Sequence, residues 1–300
     1  MYQNVRRTIT DTTGSLTSPW VFFAVTFAIT WSFWLSAIAL GVSFASGTGA
    51  LLLLLGLTGP GIAGIAFAYL AYGRDGLSDL RARVTGIGRI GSRWFLVILA
   101  LPLVVTLAAA VMDVAFGGPG ATWGEGVRQF GVDPLAILPA LFFATLPPIL
   151  EELGWRGYAL DRLQTTWSAL TASLILGVVW AGWHLPLFFV AGSFQAESVG
   201  FGTQGFWLFM IGIVALSVAF TWVYNHTARS VLAIVVLHGW INFTAETVAV
   251  ADVFYYANWV LLAALLAALW GPTTLLKSER IPRPPPLVDR RRTADSQRHG

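Results

Sequence analysis

Cysteine is absent from all 300 residues, which excludes disulfides, thiol nucleophiles, thiolate zinc sites and iron–sulfur clusters. Charge is also scarce: Lys, Arg, Asp and Glu make up 11% of the chain, against roughly 25% in a soluble domain. Hydrophobic residues reach 56%, mean hydropathy is +0.70, and there are 14 Trp and 20 Phe. Polar groups are too few to cover that much apolar surface. This is the composition of an integral membrane protein. The pI near 9.5 invites a nucleic-acid reading, but the basic residues are distributed as a membrane topology would place them, and no nucleic-acid partner is expected.

Hydropathy marks eight candidate spans, each near the ~20 residues a helix needs to cross the hydrocarbon core. They are Pro19–Leu40, Ala50–Tyr72, Trp94–Phe116, Leu135–Leu163, Ser168–Val190, Gln204–Tyr224, Arg229–Val250 and Val253–Trp270. The expected fold class is an all-α polytopic transmembrane helix bundle of about eight spans. In the fourth span the apolar residues end at Leu150. A polar, helix-compatible stretch then continues through Glu151, Glu152, Arg156, Asp161 and Arg162. Pro147 and Pro148 are expected to kink that helix just before the carboxylates.

Of the 18 Lys and Arg residues, only Arg128 falls on the far side of this map. So strong a positive-inside bias predicts a multi-pass protein of the cell membrane with both termini cytoplasmic. The first span is too long for a signal-peptide core, so no cleaved leader is expected. The expected organisation is a cytoplasmic segment 1–18, N-terminal helices 19–134, a polar-residue-bearing core 135–250, a last helix 251–271 and a basic, disordered cytoplasmic tail 272–300. The tail's arginines would be drawn to anionic lipid headgroups. No internal repeat of the kind found in many transporters is visible.

Ionisable groups inside a bilayer cost a few kcal/mol or more each, and most spans have none. Three segments do: Glu151 to Arg156, Trp180 to His184, and His238 to Asn242. With a 1.5 Å rise per residue, Glu151 lies ~18 Å, His184 ~25 Å, His238 ~13 Å and Asn242 ~20 Å from the cytoplasmic end of its span. These depths are compatible with one shared layer. Glu152 and Arg156 share a helix face, as do Trp180 with His184 and His238 with Asn242. Glu151 is turned about 100° from Glu152 and need not do the same job. Taken singly, Glu152–Arg156 reads as a structural ion pair, His184 as a packing residue and His238–Asn242 as helix–helix glue. Asp161 with Arg162 reads as an interfacial pair, and Asp113 and Glu246 as solvated span ends.

A carboxylate and an imidazole within reach of one water make a general-base arrangement for hydrolysis. An Asn amide with a second imidazole can donate to a developing oxyanion, and a nearby Arg can orient a second carboxylate or contact the substrate's own. The serine-hydrolase elbow and the His-Glu-x-x-His zinc motif are both missing. Buried Glu, Arg and His also build proton relays, so a proton-coupled transporter is an alternative, as is a non-catalytic immunity or scaffold protein.

Glu151-Glu152-x-x-x-Arg156, Trp180-x-x-x-His184 and His238-x-x-x-Asn242 stand in order on successive hydrophobic helices. They resemble the three signature motifs of the CPBP family, which comprises CAAX prenyl endopeptidases and bacteriocin-processing or Abi-type membrane proteases. The resemblance runs from about Leu135 to Thr244, with Trp180 standing where the family usually has Phe. It implies a membrane-embedded, glutamic-type endopeptidase. Glu151 and His184 would activate water, His238 and Asn242 would form the oxyanion site, and Glu152 with Arg156 would organise the cavity or substrate. The family was once considered metal-dependent, and carboxylates with two histidines can bind zinc. The Asn and Arg in the set suit a mechanism with no metal or other cofactor better. The partners implied are a peptide or protein substrate, lipidated or membrane-bound, and the lipid bilayer.

Overall fold

A computed structural model describes residues 17–278 together with 281 and 284. Almost all of the first 18 residues, and most of the expected basic tail, lie outside the described residues. Regular structure within them is helical except for one pair of two-residue strands. The helices are α1 (Pro19–Ala39), α2 (Gly47–Leu57), α3 (Gly59–Thr85), α4 (Ser92–Ala115), α5 (Glu125–Val132), α6 (Ile137–Gly154), α7 (Leu160–Leu163), α8 (Ala169–Trp183), α9 (Gln204–His226), α10 (Val231–Thr247) and α11 (Asp252–Trp270).

Among the described residues, seven helical stretches are long and apolar enough to cross a membrane, with α2 and α3 counted as one. The shorter apolar α10 accounts for the remaining expected span. The chain is an all-α, multi-pass membrane bundle. Its helix starts follow the sequence: Ser18, Ser46, Ser168, Thr203 and Ser230 each accept a backbone N–H three residues on, which satisfies donors that a helix N-terminus leaves free.

Helix α6 is the spine of the core, packed between α3 and α10. Glycine permits the α3 contact: a Cβ on Gly64 would lie 2.3 Å from the Leu153 carbonyl oxygen, and one on Gly154 would lie 2.3 Å from that of Pro60. Small residues let membrane helices approach at backbone distance in this way. Helix α8 packs on α9, and α9 on α11.

Pro147 and Pro148, where a kink is expected, lie inside α6, and a second irregularity follows them. The α-helix runs continuously through both prolines to Gly154 and then widens into a π-helical turn, Trp155–Ala159. Asp161 does not pair with its neighbour Arg162. It meets Arg83 at 3.4 Å and Arg229 at 2.5 Å, since tertiary packing brings those two arginines to it. Asp113 is buried rather than solvated, and its carboxylate accepts the Gly120 N–H at 2.8 Å, closing the loop after α4.

That loop continues into strand β1 (Thr122–Trp123), which pairs antiparallel with β2 (Val248–Ala249) at the end of α10. Past α11, the boundary expected at 271 moves outward. The backbone N–H groups of Ala169 and Leu170 donate to Thr273 and Pro272, Asn225 donates to the Thr274 carbonyl, and Leu275 is fully buried. Residues 272–278 thus belong to the folded body.

Candidate active site

Glu151 and Glu152 occupy the last turn of α6, where rotation about the helix gives them different surroundings. Glu152 is fully buried, and Arg156 Nη1 donates to both of its oxygens at 2.9 Å. His238, from α10, places Nδ1 3.0 Å from Glu152 Oε1. Both oxygens of Glu152 therefore have partners.

Arg156 is equally enclosed. Its guanidinium lies 4.9 Å from the ring centroid of Trp180 and 4.8 Å from that of Phe220, a cation–π arrangement strengthened by desolvation. Nη2 reaches Ser217 Oγ at 3.4 Å. Both terminal nitrogens of Arg156 are thus engaged by protein groups.

Glu151 is held more sparely. Among the described residues, its one side-chain hydrogen bond is to Oε2, which accepts the Trp180 indole N–H at 2.6 Å. Trp180 also packs against both histidines, with ring centroids 5.9 Å from His184 and 5.3 Å from His238. It is the hub on which Glu151, Arg156, His184 and His238 converge.

His184 follows the last residue of α8, where the helix gives way to a 3₁₀ turn over Leu185–Phe189 that contains Pro186. Its Nδ1 lies 2.8 Å from the Trp180 carbonyl. A carbonyl only accepts, so Nδ1 is the donor in this contact, and the tautomer of the neutral ring that fits it has its lone pair on Nε2. Helix α1 fixes this end of α8: Trp183 Nε1 donates to Thr30 Oγ1 at 2.9 Å and Trp31 Nε1 to the Trp183 carbonyl at 3.1 Å.

Asn242 sits one turn beyond His238 on α10, and its amide donates to the Ala144 carbonyl of α6 at 3.2 Å. The structure thus gathers Glu151, Glu152, Arg156, His184 and His238 around Trp180, with Asn242 adjoining along the α6–α10 contact. Among the described residues, no three His, Asp or Glu side chains are grouped to hold a metal ion. Nδ1 of His184 is engaged by a carbonyl, and Glu152 by Arg156 and His238.

Several supporting residues were not legible in the sequence. Arg83 Nη1 and Nη2 reach the carbonyls of Arg156 and Gly157 at 3.3 and 2.8 Å, and the Tyr224 hydroxyl lies 2.9 Å from the Arg156 carbonyl. These contacts satisfy carbonyls in the π turn that carries Arg156. Arg83 lies beyond the second predicted span, and although Asp79 is an i−4 partner, the carbonyls it serves are 73 and 74 positions away in the chain.

Residues 133–244 match the model of the family described as type II CAAX prenyl endopeptidase Rce1-like. The chain is also 30% identical over 241 residues to a protein named CAAX prenyl protease 2 from Methanococcus maripaludis, covering 78% of this chain and 86% of that one. The matched segment contains all the residues gathered around Trp180. With that geometry and a relative of this identity and coverage, the chain belongs to the CPBP/CAAX prenyl protease family of membrane endopeptidases.

Proposed function

We propose that the protein is a glutamic-type intramembrane endopeptidase in which Glu151 is the general base. The observation that carries this reading is the contrast between the adjacent carboxylates. Glu152 is closed by Arg156 and His238. Glu151 has one neutral donor on Oε2, which leaves Oε1 to take a proton from water.

In the proposed reaction, water lies between Glu151 Oε1 and Nε2 of His184. Glu151 takes a proton as the water oxygen bonds to the scissile carbonyl carbon, and the carbonyl π electrons move onto oxygen. The ring of His238, which meets Glu152 through Nδ1, and the amide of Asn242 stabilise that oxyanion. The intermediate collapses with cleavage of the C–N bond, and the proton held by Glu151 passes to the leaving nitrogen. Glu152 and Arg156 fix the turn and orient His238. No step requires a metal or a cofactor.

The relative's name supports a substrate ending in a prenylated cysteine followed by three residues, the CAAX pattern. We take the substrate to be such a lipidated peptide or protein, presented from the cytoplasmic leaflet. The basic residues support this side, since a positive-inside distribution favours cytoplasmic N- and C-termini in a cell-membrane protein.

The test is N- and C-terminal peptide profiling of membranes carrying wild type or Glu151→Gln, with a quenched fluorescent S-farnesyl CAAX peptide as the purified assay. Wild type should release the tripeptide after the lipidated cysteine while the folded variant does not. Equal release by both would overturn the assignment of Glu151.

A further inference from the structure

Among the described residues, the proposed base has one side-chain hydrogen-bond partner, the indole N–H of Trp180. At 2.6 Å from Glu151 Oε2 this is a short bond for a nitrogen donor, within a buried cluster, where a hydrogen bond to an ionised acceptor is stronger than a neutral one. Trp180 itself is held on several sides. Arg156 lies over its ring, Phe220 is 5.8 Å away, and His238 meets it edge-on at 5.3 Å. The indole is therefore a fixed donor on a rigid helix, and the carboxylate is the group that conforms to it.

Resting on the reading of Glu151 as the base, we propose that Trp180 is a positioning residue of the reaction: its N–H pins Oε2 so that Oε1 alone is presented to the attacking water. The same ring carries the Arg156 cation on its face, so one side chain registers the active carboxylate against the Glu152–Arg156 pair. Tryptophan does this where phenylalanine cannot. Both offer an aromatic face to Arg156 and His238, but only indole donates a hydrogen bond. A Glu151 released from the indole would sample rotamers in which neither oxygen faces the water, and loss of near-attack geometry lowers turnover more than binding.

The test uses Trp180→Phe and, as a shape-preserving second variant, benzothienylalanine at position 180, in which sulfur replaces the N–H. With the S-farnesyl CAAX peptide, kcat should fall roughly 10- to 100-fold in both, the range of one hydrogen bond to a charged group, with KM within about two-fold of wild type. In a Glu151→Gln background the Trp180 change should cost little further, because it acts through a base already removed. A purely structural role would raise KM or lower kcat by the same factor in both backgrounds.

An independent readout is the infrared band of the Glu151 carboxyl, isolated as the wild-type minus Glu151→Gln difference in the detergent-solubilised protein. It should move when the N–H at position 180 is removed. Wild-type kcat and an unmoved band in the benzothienylalanine variant would overturn the proposal while leaving Glu151 as the base. Undiminished turnover by Glu151→Gln would instead remove the reading on which the proposal rests.

Discussion

Two buried ionic clusters flank the π turn, and they are built differently. In one, Asp79 and Asp161 are shared between Arg83 and Arg229 at 2.5–3.4 Å, with Tyr224 joining them. Each carboxylate there meets two guanidinium groups. Arg229 contributes from a left-handed backbone position, φ 62°, strained for a residue with a side chain and maintained by those pairs. In the other, Glu152 is similarly closed by Arg156 and His238, but Glu151 beside it retains an oxygen without a protein partner among the described residues. Saturation marks the parts that hold the fold. In the proposed reaction the incompletely satisfied carboxylate is the one that does the chemistry.

Breaking either saturated cluster should cost the most stability. Glu152→Gln strands Arg156 in a dry environment, and removing one partner of a buried pair costs about 3–5 kcal/mol. Melting temperature and turnover should therefore fall together. Replacing Glu152 by Gln and Arg156 by Met at once should destabilise less than the sum of the singles, measured as a thermal double-mutant cycle. Asp161→Asn should match Glu152→Gln in lost stability. Its turnover, measured well below its melting point, should stay within about three-fold of wild type, because the π turn's carbonyls keep Arg83 and Tyr224 as donors. A large loss of turnover in folded Asp161→Asn would erase the distinction between the clusters.

Smaller effects sharpen the same contrast. Gly64→Ala puts a methyl 2.3 Å from the Leu153 carbonyl oxygen, so α3 must shift away from α6. Overpacking of this kind costs roughly 1–3 kcal/mol, to be read as a lowered melting temperature. Tyr224→Phe removes one donor from the π turn and should cost about 1 kcal/mol. Exhaustive chelation should leave peptide cleavage unchanged, and activity lost on chelation but restored by added Zn²⁺ would require a metal mechanism.

The sequence made part of this arrangement legible and concealed the rest for identifiable reasons. Glu151, Glu152, Arg156, His184 and His238 stood out because ionisable side chains are costly among apolar ones, and the structure brings them to one hub. The i,i+4 rule anticipated Glu152–Arg156. It gave no access to His238–Glu152, since those residues are 86 positions apart. Adjacency in the chain suggests Arg162 as the partner of Asp161, whereas consecutive helical residues point in different directions. Trp180 was visible as a larger aromatic than the family usually carries, but its bond to Glu151 depends on how α8 packs near α6. The π turn had no sequence signal comparable to the two prolines, which α6 accommodates.

The most direct test of the account is turnover of the S-farnesyl CAAX peptide by Glu151→Gln and Glu152→Gln, each assayed below its own melting temperature. The account predicts that Glu151→Gln melts within a few degrees of wild type while losing at least the roughly 10²–10⁴-fold expected when a general base is removed, and that Glu152→Gln melts early. A Glu151→Gln protein that unfolds early, alongside a stably folded and inactive Glu152→Gln, would contradict it and exchange the roles of the two carboxylates.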